Sequence, residues 1–287
     1  MKTYLECIPC FIKQSLEAAR MATDDEAVHE TVLKEVMKHL ETISFSDSPP
    51  ELSRDVHKII KTITKSKDPY KKVKDQSNEM ARNLYPHLKK LVDEADDSLL
   101  MAIKLAIVGN VIDFGTSNRF NIEDMIDVAV KKKFADEAYP QFKKTLEQAK
   151  TIIYAADNSG EIFFDKLLIE ELKKRGKKIT YVVKANPIIN DVLMGDAKFA
   201  GIDNLATIIE GDAGQDRSAP GVLLRYASKE FLKNFESADM VISKGQGNYE
   251  SLSNCKREVF FLLMIKCPLV AEDIGIEMAT LVLKVKK

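Results

Sequence analysis

The chain has 287 residues, 45% of them hydrophobic, enough to bury one large core or two modest ones. Its 43 basic and 44 acidic residues give a formal net charge of −1, which excludes a global field that would draw nucleic acid or anionic lipid. The longest apolar run, 259–265, is far shorter than a membrane span, and residues 1–6 lack the apolar centre of a signal peptide, so the expectation is a cytoplasmic protein with neither a membrane nor a nucleic-acid partner.

Residues 1–150 read as helix after helix. Apolar residues recur at spacings of three and four, as in Leu33, Val36, Met37 and Leu40, and again in Leu99, Leu100, Ile103, Ala106 and Ile107. Turn clusters at 44–51 and 65–70 break one helix and start the next. Cys7 and Cys10 are spaced as a possible zinc or redox pair. Zinc needs four ligands, though, and Cys255 and Cys267 form no second close pair, so buried helix thiols are the expectation. His29, His39, His57 and His87 share no spacing and read as surface residues. At 109–115, two glycines with Asn110 and Asp113 interrupt the apolar helix 102–108. This is either a helix end capped by those side chains or one wall of a site.

From Thr151 the texture changes to short β-branched runs at 151–156, 178–183, 206–209, 240–242 and 259–265, separated by helical stretches. The stretch 161–175 is the clearest crossover helix, closing on Lys173-Lys174-Arg175 before Gly176. The fold class is therefore α/β: a helical part, 1–150, and a mainly parallel sheet with crossover helices, 151–287.

Ligands of open parallel sheets bind beyond the carboxyl ends of the strands. Those ends here carry Asp157-Asn158-Ser159-Gly160-Glu161, then Lys184 with Asn190-Asp191, then Glu210-Gly211-Asp212, then Lys244-Gly245-Gln246-Gly247-Asn248. Each loop alone also reads as caps and turn formers. Together they gather carboxylates and amides without His or Cys, a donor set suited to a hard divalent cation. Lys244 between glycines reads as a phosphate contact, with Gly245 and Gly247 letting backbone N–H groups approach, or alternatively as a solvated lysine in a turn.

These motifs, in this order, resemble the domain-of-unknown-function-89 family, also called damage-control phosphatases or acidic-residue-methyltransferase-like proteins. The resemblance rests on Cys7-x-x-Cys10, Gly109-Asn110-x-x-Asp113-Phe114, Asp157-Asn158-x-Gly160-Glu161, Lys184 with Asn190-Asp191, and Lys244-Gly245-x-Gly247-Asn248-Tyr249. It spans nearly the whole chain and is similar to the stand-alone microbial branch. It implies a helical part packed on a Rossmann-like αβα layer, and a divalent cation (Mn, Co, Ni or Mg) held at Asp157, Asn158 and Asp191. It further implies a phosphate pocket involving Asn110, Asp113 and Lys244, and a sugar phosphate or phosphopantetheine-type substrate. Gln246 stands where larger members are expected to carry Asp.

The resulting expectation is a metal-dependent phosphatase acting on a small phosphorylated metabolite. Asp157, Asn158 and Asp191 are the metal ligands. Asn110, Lys184, Asn190, Lys244, Gly245 and Asn248 lie on the substrate side, and Asp113 or Glu161 orients the attacking water. Three other readings stay open: an aspartyl nucleophile at Asp157, with Ser159 where an acid is usual two residues on; an S-adenosylmethionine methyltransferase, for which the first turn offers only Gly160; and a non-catalytic metabolite-binding module. Oligomeric state is left open.

Overall fold

The computed structural model describes residues 1–110, 126, 130–131, 134–135, 137–214 and 216–286. Five helices open the chain: α1 (Cys7–Ala22), α2 (Glu26–Leu40), α3 (Pro49–Thr64), α4 (Lys71–Asp93) and α5 (Ser98–Val108). Their boundaries have local causes. Ser48 and Glu51 form a capping box at the start of α3, with the Ser48 N–H donating to Glu51 Oε2 (3.0 Å), and two prolines occupy the first turn. Lys65 closes α3 in the left-handed conformation, and Asp97 caps α5 by accepting from the Leu100 N–H (3.0 Å).

A seven-stranded sheet follows: β1 (Phe134–Ala135), β2 (Thr151–Ala155), β3 (Lys178–Val183), β4 (Thr207–Glu210), β5 (Met240–Lys244), β6 (Val259–Met264) and β7 (Leu281–Lys286), in the order β1-β7-β6-β5-β2-β3-β4. Every pairing is parallel except that of β6 with β7. The connecting helices are α6 (Tyr139–Gln148), α7 (Ile162–Lys174), α8 (Met194–Phe199), α9 (Lys229–Ser237), α10 (Gln246–Leu252) and α11 (Pro268–Ile274). The crossover helix lies within the expected 161–175. β7, which the sequence reading did not include, is the one antiparallel partner.

The core has three parts. Helices α4, α5 and α7 cover one face of the sheet with Leu84, Leu88, Ile103, Ile107, Phe164 and Leu168, while α9 to α11 cover the other with Phe231, Phe235, Leu252 and Val270. Helices α1 to α3 form a separate cluster around Phe11, Val32, Val36, Val56, Ile60 and Tyr70. Each fully buried aliphatic or aromatic side chain contributes ~1.5–3 kcal/mol relative to exposure. Gly109 has a packing reason: a Cβ there would meet Phe164 Cγ at 2.8 Å, so its absence lets the end of α5 lie against α7.

His57 departs from the surface placement expected for the histidines. It is 2% exposed, its Nε2 faces Gln14 Oε1 (3.3 Å), and burial, with Lys61 adding to it, pushes its pKa down to about 3. No helix among the described residues is long and apolar enough to cross a membrane.

Candidate active site

The order β5-β2-β3 means that the chain leaves β2 in one direction across the sheet and later returns to pair on its other side. The crevice at such a switch point, beyond the carboxyl end of β2, is where open α/β sheets bind ligands. Asp157 and Asn158 emerge there. The neighbouring loop after β3 is tied to them through the backbone: the Ser159 N–H donates to the Asn190 carbonyl and the Val192 N–H to the Asp157 carbonyl, both at 2.9 Å. Asn158 and Asp191 consequently face each other as an isolated antiparallel bridge.

A cavity of about 830 Å³ opens over this crevice, and Asn110, Asp157, Asn158, Asn190, Asp191 and Lys266 all line it. Asn110, just past α5, donates from Nδ2 to Asp157 Oδ2 (2.6 Å) and to Glu161 Oε2 (2.8 Å). Asn158 Nδ2 donates to the same two oxygens, at 2.8 and 3.2 Å. With its Nδ2 so engaged, the side-chain carbonyl is the atom Asn158 has left to offer a cation.

The electrostatics are those of crowded, buried acids. Burial, reinforced by neighbouring Glu161, pushes Asp157 up to about 7. Asp191 is 2% exposed and is raised well above the usual carboxylate range by burial, with Asp157 and Asp212 pushing the same way against Lys184. Asp191 Oδ2, Lys184 Nζ and Ser159 Oγ are buried with no hydrogen-bond partner among the described residues; Lys184 Nζ lies 3.7 Å from Asp191 Oδ2. A buried acid oxygen without a hydrogen bond, Asp191 Oδ2, beside a second buried acid in an all-oxygen donor set fits a hard divalent cation at Asp157, Asn158 and Asp191. No cluster of three His, Cys, Asp or Glu residues alone forms a metal site among the described residues, so a cation here would also depend on the amide of Asn158.

The other residues picked out from sequence take varied positions. Lys244 is 0% exposed and does not line the cavity; its Nζ is ion-paired with Glu161 and Asp165 beneath the site. Tyr154 and Tyr181 also donate to Asp165, at 2.7 and 3.0 Å, and burial leaves that carboxyl at about 6 despite Lys244. Glu161, fully buried, accepts from Asn110, Asn158 and Lys244. Gly245 is left-handed at φ 78°, and a Cβ there would lie 1.9 Å from Asp157 Oδ2, so glycine is what lets the carboxylate sit against the backbone. Its N–H is taken up by the Leu262 carbonyl. Asn248 is buried and bonds the Ala156 and Lys244 carbonyls and the Val222 N–H, which ties three loops together. Gln246 lines the cavity and donates to Glu250 (2.9 Å). Asp113 lies outside the described residues.

One cation on the cavity wall was absent from the sequence reading. Lys266 follows β6, lines the cavity, and donates from Nζ to the Asn110 carbonyl; its charge pulls Asp157 down against burial. The signal available was the strand-end rule applied to β6, the last of the five strands expected from sequence. Cys7, Cys10 and Cys267 also line the mouth. Cys10 is exposed and Cys7 half-buried rather than both being buried helix thiols.

A family model for the damage-control phosphatase ARMT1-like domain matches residues 3–282. The chain is 33% identical to a damage-control phosphatase of Archaeoglobus fulgidus, covering 99% of each chain. It is 34% identical to one of Pyrococcus horikoshii, covering 98% of this chain and 97% of the relative, and 37% identical to an uncharacterized protein of Methanocaldococcus jannaschii over 97% and 93%. The crystal structure of a DUF89 family protein from Pyrococcus horikoshii superposes with a TM-score of 0.92 over 100% of both chains at 31% identity.

Proposed function

The chain belongs to the damage-control phosphatase ARMT1-like family, and from that premise we propose that it is a divalent-metal-dependent phosphatase that hydrolyses a small phosphorylated metabolite, a sugar phosphate or a phosphopantetheine-like compound. The observation that carries the metal part is the pair Asp157 and Asp191, both raised by burial and lining one cavity, where Asp191 Oδ2 accepts no hydrogen bond from a described residue. Two such acids need a counter-charge that the described side chains supply only in part.

Asp157, Asn158 and Asp191 hold the ion in this reading, with Mn²⁺, Co²⁺, Ni²⁺ and Mg²⁺ as candidates. Bound there, such an ion supplies Lewis-acid stabilisation of phosphoryl charge and lowers the pKa of water. The chain's own side chains do the rest. Lys266 meets the phosphate as the cation on the cavity wall, in the role expected of Lys244 from sequence. Asn110 and Asn158 orient the Asp157 carboxylate through its Oδ2, and Glu161, held by Lys244, keeps those amides turned. Phe11, Pro50, Val73 and Leu269 give the cavity apolar wall beyond the acids, with room for an organic arm.

The test is phosphate release from a panel of sugar phosphates, phosphopantetheine and p-nitrophenyl phosphate, in EDTA and with each metal restored. Release that EDTA abolishes and one of the four ions restores is the expected result. No release with any ion, alongside retained binding of a phosphorylated compound, would replace the enzyme with a metabolite-binding module.

A further inference from the structure

We propose that Ile189 is a positioning residue through which the helical cluster α1 to α3 sets the place of Asp191; the inference rests on the metal site described above. Ile189 has φ 42°, a left-handed conformation that a β-branched residue adopts only when its surroundings impose it. What imposes it is on the helical side. The Ile189 side chain packs against the α1–α3 cluster, and Lys61 of α3 donates to the Pro187 carbonyl (3.2 Å) two residues earlier. Ile188 beside it is buried at 2% exposure, and the Asp191 N–H returns to the Ile188 carbonyl (3.1 Å).

The turn at Ile189 thus has two fixed ends. On one side the helical cluster holds the isoleucine, and on the other the Asn190 carbonyl accepts the Ser159 N–H while Val192 N–H bonds the Asp157 carbonyl. The strained residue is the joint between them. Releasing it lets the Asn190-Asp191 segment move relative to Asp157 and Asn158 without removing any cation ligand, and supporting groups of this kind change metal affinity about 10–100-fold. Glycine at 189 accepts the left-handed φ but has no side chain to anchor, whereas leucine keeps the anchor.

The experiment compares wild type, Ile189→Gly and Ile189→Leu by amide hydrogen exchange without metal, by Mn²⁺ calorimetry, and by the Mn²⁺ dependence of phosphate release. In Ile189→Gly the Ser159 and Val192 amides should exchange about tenfold faster relative to the amides of β2, and both the Mn²⁺ Kd and the Mn²⁺ concentration that half-restores phosphate release should rise about tenfold. Ile189→Leu should stay close to wild type in all three. Exchange at Ser159 and Val192 that rises no more than in β2, or an unchanged Mn²⁺ Kd in Ile189→Gly, overturns the proposal. If wild type binds no Mn²⁺, the metal reading fails, and the exchange arm still decides whether Ile189 holds the loop.

Discussion

Replacing Asp157 with asparagine should lower metal-restored phosphate release by about 10³-fold while leaving the metal-free protein at least as stable as wild type. The size of the kinetic loss follows from removing one anionic ligand of an ion asked to supply several kcal/mol of transition-state stabilisation. The stability part follows from the cost of the site. Burial, with Glu161 adding to it, pushes the Asp157 carboxyl up to about 7. A group that holds its proton more tightly folded than unfolded favours the fold most below the unfolded pKa of about 4, and progressively less as pH rises toward the folded value. In EDTA, the unfolding midpoint of wild type should therefore fall relative to that of Asp157→Asn between about pH 4 and pH 7. A variant that keeps wild-type turnover with Mn²⁺, or one that loses activity only because it unfolds, contradicts this assignment.

The largest stability loss should come from Lys244→Met. Lys244 is the sole cation in contact with Glu161 and Asp165 among the described residues, and all three are fully buried. Breaking such a cluster by removing one partner leaves unpaired buried charge and costs about 3–5 kcal/mol, even though the methionine fills most of the volume. The deficit has a predicted pH dependence. Burial already holds the Asp165 carboxyl up at about 6 against the pull of Lys244; without the ammonium it holds its proton more tightly still in the folded state, so stability is best retained below the unfolded carboxylate range near pH 4 and is lost as pH rises above it. Urea unfolding at about pH 5 and pH 8 checks both the size and the sign. A loss below about 1 kcal/mol, or one that shrinks at higher pH, would mean that Lys244 is not the counter-charge of Glu161 and Asp165.

Lys244 also illustrates how far the sequence carries. Its place after a run of apolar residues and before a glycine was legible, as were five of the seven strands, because parallel strands covered on both faces are continuous apolar runs. The direction of its ammonium was not. β5 is buried along its whole length, so the last side chain of the strand runs beneath a covering helix, and α7 places Glu161 and Asp165, one turn apart, to receive it. β7 was missed for the opposite reason: Lys284 and Lys286 interrupt its apolar pattern, and only its first half is buried. β1 is two residues long, too short to give any pattern.

At the site, the Asp157-Asn158 and Asn190-Asp191 pairs pointed to one crevice because both follow parallel strands, the family resemblance singled out Asp157, Asn158 and Asp191, and the backbone does bring the two loops together. Lys266 lies in no recognisable motif, and its role depends on where β6 stops. The left-handed Ile189 leaves no trace in sequence at all, since isoleucine is the last residue a turn of that hand would suggest.

Crystals grown with Mn²⁺ and measured at the manganese absorption edge give the decisive observation. One anomalous peak per chain is expected, ligated by Asp157, Asn158 and Asp191, and lost in Asp157→Asn. A peak elsewhere, for instance among Cys7, Cys10 and Cys267, or no peak at all at Mn²⁺ concentrations that support phosphate release, would contradict it.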